Sequence, residues 1–324
     1  MNPPILAFFR NDTDKRRWKS DMASIPGIVS IVTEESAHSP FKTICRSVPK
    51  PQFILLSASF YPDKGFGITT LIRNLFPGTE ILLISPAFEP FPDIALLFRD
   101  GIRNLVVVPT SPLPLSQGIG PVDPPLSVAI KSLTADRHER MYACLRQGTT
   151  VSEFTLTSSD QKEPLIKHLE NTINGKSTEE EFLRQRAALI ADEMIENALY
   201  GAPRNGDGTR IFRKGERREI LPGERIEVRF GFDGENLAIE VSDGWGSLLP
   251  EEIIGHLEKN RDRDGLPPTD GGLGLFLIWR FVDHLYVSIA PGRETVVSGQ
   301  VRLATPGELP EAKGFHMEAL RACA

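Results

Sequence analysis

Five strand-sized apolar runs, Ile5–Phe9, Ile28–Val32, Phe53–Ser57, Glu80–Ser85 and Leu105–Val108, recur at the start of the chain with helix-like segments between them. No other feature limits the possible folds as strongly. Strands alternating with helices predict a parallel sheet flanked by helices, an α/β architecture. The pattern then breaks at Pro109–Pro125, where prolines and glycines are too frequent for the middle of a packed element. With 324 residues the chain is long enough for two domains, each with its own core. The expected division is a first domain over 1–122, a linker and bridging helix over 123–149, a second domain over 150–304 and a tail over 305–324. Ser127–Gly148 reads as helical and either closes the first domain or bridges to the second.

From Thr150 the periodicity changes. Ser152–Leu156 reads as a strand and Lys162–Ile173 as a helix. Ser177 and Glu180 have the spacing of a capping box, in which each side chain satisfies a free amide at a helix start, so a long helix over about Thr178–Tyr200 is expected. Ile226, Val228 and Phe230, then Leu237, Ile239 and Val241, alternate with charged or small residues around Asp233-Gly234, which predicts an antiparallel hairpin with one buried face. Gly272–Leu285 is a glycine-led apolar helix, and Leu285–Ile289 with Thr295–Leu303 form two further strands. The second domain is therefore expected to be α+β, with helices on one face of a mixed sheet.

Several function classes are disfavoured by composition. The longest apolar runs are far short of a bilayer span. A net charge of −6 argues against a general nucleic-acid binder, which needs a basic surface. The amino terminus, MNPPILAFFRND, lacks the basic lead and long apolar segment of a secretory leader. Cys45, Cys144 and Cys323 are odd in number and far apart, as expected of free thiols in a reducing compartment, so a cytoplasmic location is expected. The basic run Arg210, Arg213, Lys214, Arg217 and Arg218 is interrupted by Glu216 and Glu219, and reads as a solvated insertion loop.

Three short elements carry the chemistry. Glu193 and Asn197, four apart on the long helix, share a face and can look into one pocket, whereas Asp192 points about 140° away from Asn197. An amide oxygen suits Mg²⁺ already carrying phosphate oxygens, and a nearby carboxylate can orient a hydroxyl. Val241-Ser242-Asp243-Gly244-Trp245-Gly246 ends a strand in glycines and leaves a carboxylate free to accept from an adenine amino group. Gly271-Gly272-Leu273-Gly274-Leu275 opens a helix whose free amides favour phosphate. The polar stretch 247–270 between them reads as a lid, with Lys259, Arg261 or Arg263 able to reach a terminal phosphate.

Taken in this order, the three elements resemble the nucleotide site of the histidine-kinase-like ATPase superfamily, of Bergerat or GHKL type, over about Thr150–Leu303. The resemblance implies a two-layer α/β sandwich that binds ATP and Mg²⁺. It implies Glu193 as general base, Asn197 as metal ligand, Asp243, Gly244 and Gly246 on the base side, and Thr295 as a further nucleotide-binding residue. Gly271, Gly272, Leu273, Gly274 and Leu275 would lie at the lid. Trp245 and Ser247 stand where the family carries a further glycine. Within the superfamily the chain looks most like the anti-sigma-factor serine kinases, because a strand and a helix lead straight into the Asn-bearing helix. That implies a signalling regulator acting on a partner protein, with a homodimer possible and neither nucleic acid nor membrane as partner. Two alternatives stay open: a non-catalytic ATP-gated binding module, and a split histidine kinase whose phosphoacceptor lies elsewhere. As an acceptor, His168 reads as a helix-surface histidine, and His138, in the helical bridge beside Glu139, is a weaker second candidate.

The first domain resembles a response-regulator receiver without its chemistry. Ser57 stands at the phosphoacceptor position, Phe8-Phe9-Arg10 replaces much of the metal-binding acid cluster, and Val108 stands in place of a lysine. A docking or dimerisation module is expected. Lys64-Gly65-Phe66-Gly67-Ile68-Thr69-Thr70 has the look of a phosphate-binding loop, but Ile68 stands where the lysine belongs.

Overall fold

The five early apolar runs all become strands. A computed structural model describes residues 4–23, 25, 27–32, 49–61, 65–86, 94–108, 124–135, 139–258, 273–306 and 313–319. The chain divides into two units, residues 1–130 with 311–315 and residues 131–310 with 316–324.

In the first unit, β1 (Ile5–Phe9), β2 (Ile28–Val32), β3 (Phe53–Ser57), β4 (Glu80–Pro86) and β5 (Asn104–Val108) pair in parallel in the order β2-β1-β3-β4-β5. Strands β1, β3 and β5 are buried at every position, the pattern of a parallel sheet covered on both faces. Helices α1 (Asp12–Arg17), α2 (Lys19–Ala23), α3 (Gly65–Leu75) and α4 (Ile94–Arg99) lie between them in sequence. Helix α1 begins where the Asn11 side chain accepts the Asp14 N–H. Asp14 is itself buried and accepts from Ser57 Oγ at 2.8 Å, Ser59 Oγ at 2.6 Å and the Arg10 N–H at 3.0 Å. Three internal donors therefore hold this carboxylate against the end of β3. In the look-alike phosphate loop, Gly65 starts helix α3, while Lys64 lies outside the described residues.

The expected linker lies outside the described residues over 109–123, and the division falls inside helix α5, Pro125–Thr134. The second unit continues through α6 (Arg140–Ala143), β6 (Val151–Thr155), α7 (Lys162–Thr172), α8 (Thr178–Glu196), β7 (Glu227–Phe232), β8 (Asn236–Asp243), α9 (Pro250–Glu258), α10 (Leu273–Phe281), β9 (His284–Ala290) and β10 (Glu294–Arg302). Strands β9-β10-β8-β7-β6 lie side by side, and every pairing among them is antiparallel. The mixed sheet expected for this region is thus corrected for these five strands. The β7–β8 and β9–β10 connections are short turns, which permit only antiparallel pairing. Helices α7, α8 and α10 pack on this sheet.

The hairpin also departs from its expected single buried face. On β8, Ala238 and Glu240 are buried as well as Leu237, Ile239 and Val241. Helix α6 packs on β8 as well. Glu240 is tolerated there because Arg229 Nη1 donates to it at 2.9 Å and Ser298 Oγ at 2.6 Å, both from directly opposite positions on the neighbouring strands. The tail, silent in sequence, supplies strand β11, Lys313–Ala319, whose His316 ring stacks on Tyr286 at 4.4 Å. Cys144 forms no disulfide among the described residues; Cys45 and Cys323 lie outside them. Among the described residues no helix is long and apolar enough to cross a membrane.

Candidate functional site

Helix α8 is fixed at both ends before it presents any chemistry. At its start Ser177 Oγ accepts the Glu180 N–H at 3.1 Å and Glu180 Oε2 accepts the Ser177 N–H at 2.9 Å, the reciprocal pair the sequence predicts. Leu183, Ala187, Ile190 and Met194 form its buried stripe. Arg186, also buried, donates to the carbonyls of Phe281 and Arg302, which registers α8 against the end of α10 and β10. After Glu196 the helix widens into a single π turn, Asn197–Gly201, in which the Ala202 N–H reaches back to Asn197 O at 2.7 Å. Such turns are frequent at functional sites, because they re-aim the side chains around them.

Glu193, Glu196 and Asn197 all line one cavity of about 260 Å³. Asn197 is exposed to it, and among the described residues its side-chain amide makes no hydrogen bond. Burial raises the Glu193 pKa from its ordinary value, against the lowering effect of Lys214. Asp192 points elsewhere, as its spacing predicts, and pairs with Lys162 at 2.7 Å.

Asp243 enters the same cavity from the end of β8. It is buried, and its Oδ1 accepts the N–H groups of Trp245 at 2.9 Å and Gly246 at 3.4 Å. Burial pushes its pKa up to about 6; the two backbone donors and the Thr295 hydroxyl oppose that rise. Thr295 faces Asp243 across the β8–β10 ladder and lines the cavity as well. Between these polar ends the wall is apolar: Met194, Ala198, Val241, Leu275, Ile278 and Val297.

The glycines divide by role. A Cβ on Gly274 would collide with Glu193 Oε2, so Gly274 admits the carboxylate beside the first turn of α10, and both Gly274 and Leu275 line the cavity. Gly244 is pressed against backbone instead: a Cβ there would stand 2.7 Å from Gly223 O and 2.8 Å from Glu224 O, and its N–H donates to Glu224 O at 2.6 Å. Gly246 has φ +58°, its carbonyl accepts the Gly292 N–H at 3.1 Å, and a Cβ there would collide with Ala290 O. Gly244 and Gly246 thus seat the Asp243 turn on neighbouring backbone. Gly246→Ala is expected to cost about 2–4 kcal/mol, from left-handed backbone strain plus overpacking, measured by denaturant unfolding. Gly271, Gly272, the Leu273 side chain and the lid cations Lys259, Arg261 and Arg263 lie outside the described residues, as does His138. His168 is exposed and packs its ring edge on Phe154 at 5.3 Å.

Sequence reasoning missed one wall. Arg204, Arg210 and Lys214 line the cavity together with Glu252 and His256. Of the basic run, Arg210, Arg213, Lys214 and Arg217 are exposed as expected, whereas Arg218 is buried in an ion pair with Glu224 and lies 3.8 Å from the Phe212 ring centre. Glu196 was legible in principle, since it lies three residues from Glu193 on the same face. Nothing in the local pattern marked Arg204, which reaches α9 through a two-pronged pair with Glu252 at 2.8 and 3.2 Å.

No family model matches the chain, and no curated protein matches it. What the cavity can hold follows from its walls. The lining joins Asp243 and Thr295, an apolar surface, the exposed Asn197 amide, and charges of both signs, Glu193, Glu196 and Glu252 with Arg204, Arg210 and Lys214. That suits a flat heterocycle carrying an anionic tail. Among the described residues no cluster of three His, Cys, Asp or Glu could hold a metal alone, so a divalent cation at Asn197 would need oxygens brought by the ligand.

Proposed function

We propose that the second unit binds ATP with Mg²⁺ in a site of Bergerat type, and that the chain is a cytoplasmic signalling regulator of the anti-sigma serine kinase kind. In this reading it phosphorylates a Ser or Thr of a partner protein. One observation carries the proposal: Glu193, Asn197, Gly274, Asp243 and Thr295, drawn from four separate elements, converge on one cavity with an apolar wall. Asp243 accepts from the adenine amino group through the oxygen its own turn does not use. Asn197 offers an amide oxygen to Mg²⁺, and bound Mg²⁺ would neutralise phosphate charge. Glu193, its pKa raised by burial, orients the attacking hydroxyl and receives its proton. In the first unit the β2-β1-β3-β4-β5 order supports a receiver-like docking module, and Ser57 hydrogen-bonded to Asp14 supports one without phosphoacceptor chemistry.

The test is transfer from labelled ATP to candidate partners, run beside direct ATP binding. Glu193→Gln is expected to bind ATP normally yet lose transfer by roughly 100-fold or more. Asn197→Ala is expected to lose Mg²⁺-dependent binding by about tenfold or more and transfer with it. Binding without transfer to any partner would replace the kinase with an ATP-gated module. Transfer that appears only with a histidine-bearing partner would make it half of a split histidine kinase. Absence of ATP binding at millimolar concentration ends the nucleotide reading.

A further inference from the structure

The insertion between the π turn and β7, residues 203–224, is held rather than loose. Tyr200 Oη donates to Glu216 O at 2.8 Å, Arg204 grips Glu252, and the Ser159 N–H and Oγ bond the backbone of Arg218 at 2.9 and 3.0 Å. Arg218 with Glu224 closes the base of the insertion. This frame carries Arg210 and Lys214, both of which line the cavity.

The state of these two cations is informative. Lys214 Nζ pairs with Glu196 Oε2 at 2.5 Å while its side chain remains 62% exposed. Glu196 has a second cation, because Lys162 Nζ, which also pairs with Asp192, holds its other carboxylate oxygen at 2.9 Å. Lys214 can therefore exchange Glu196 for another anion while Glu196 keeps a share of Lys162. Arg210 has no ion pair among the described residues, although it lines a cavity that also contains Glu193, Glu196 and Glu252. A guanidinium and an ammonium at the mouth of a cavity, one uncommitted and one on a replaceable partner, form a receptor for a multiply charged oxyanion.

We propose that Arg210 and Lys214, delivered by the 203–224 insertion, bind the terminal phosphate of the nucleotide and make the site prefer a triphosphate to a diphosphate. This rests on the nucleotide reading of the cavity. On binding, Lys214 leaves Glu196 for the phosphate oxygens and Arg210 donates beside it, so the insertion contributes to phosphate recognition independently of the lid.

Calorimetric binding of ATP, ADP and adenosine, with Mg²⁺ and at fixed ionic strength, tests this on the full chain and on Lys214→Gln and Arg210→Gln. Each variant is expected to weaken ATP binding roughly tenfold or more, ADP binding less, and adenosine binding not at all. The dependence of ATP affinity on salt should flatten in step. Both side chains stand at the cavity mouth, so unfolding midpoints should stay at the wild-type value. If wild type binds ATP but both variants keep its ATP-to-ADP preference within about twofold, the insertion does not bind the terminal phosphate and the nucleotide reading stands without it. An equal loss for all three ligands also overturns the proposal, because it marks a structural rather than a phosphate-specific effect. Failure of wild type to bind any of the three overturns both.

Discussion

Asp243→Asn is expected to weaken ATP binding roughly 100-fold while leaving the fold as stable as wild type or more so. The two halves of this result have separate causes. Asparagine can keep its oxygen on the Trp245 and Gly246 amides, which then turns an NH₂ donor toward the cavity where the carboxylate had an acceptor. Adenine would meet donor with donor. Stability behaves oppositely, because burial raises the folded-state pKa of Asp243 from 3.8 to about 6. Between those values the folded chain retains a proton that the unfolded chain has released, so this group contributes a loss of stability as pH rises through that window. The substitution removes that cost. ATP affinity in wild type should for the same reason weaken as pH falls below about 6, approaching tenfold per pH unit as the carboxylate protonates. Fluorescent-nucleotide titration from pH 8 to pH 5, beside thermal unfolding, checks both halves. Nucleotide affinity that is flat with pH and unchanged in Asp243→Asn would remove Asp243 from the site.

Arg218→Ala should be the most destabilising single substitution on the insertion, about 3–5 kcal/mol. The guanidinium and the Glu224 carboxylate are each about 5% exposed and pair at 2.5 Å, and Glu224 also accepts the Leu221 N–H at 2.7 Å. Removing the cation leaves a buried carboxylate with one neutral donor. The damage should spread, because the Glu224 carbonyl is what the Gly244 N–H holds, next to Asp243. Arg218→Lys should recover little, since an ammonium cannot lie flat on Phe212 while reaching Glu224. The double change Arg218→Met with Glu224→Leu should recover much of the loss, as paired apolar replacement of a buried ion pair often does. Urea midpoints of the three variants decide the matter. A value for Arg218→Ala within about 1 kcal/mol of wild type would mean the pair is solvated.

The strands of the first unit were legible because a run of consecutive apolar residues has one low-energy destination, the covered interior of a parallel sheet. The start of α8 was legible because a capping box acts between residues three apart, with no help from the rest of the chain. The shared face of Glu193 and Asn197 followed from helical spacing alone. Tertiary structure decided everything that depends on residues distant in sequence. It placed Asp243 in the cavity that Asn197 opens onto, and it set Gly244 and Gly246 against backbone from the insertion and the β9–β10 turn. It also brought two exposed members of the basic run, Arg210 and Lys214, to the cavity and buried a third, Arg218, against Glu224. Spacing within one element reports which side chains share a face; only packing between elements determines which faces meet, and the charges that decide this site lie on different elements.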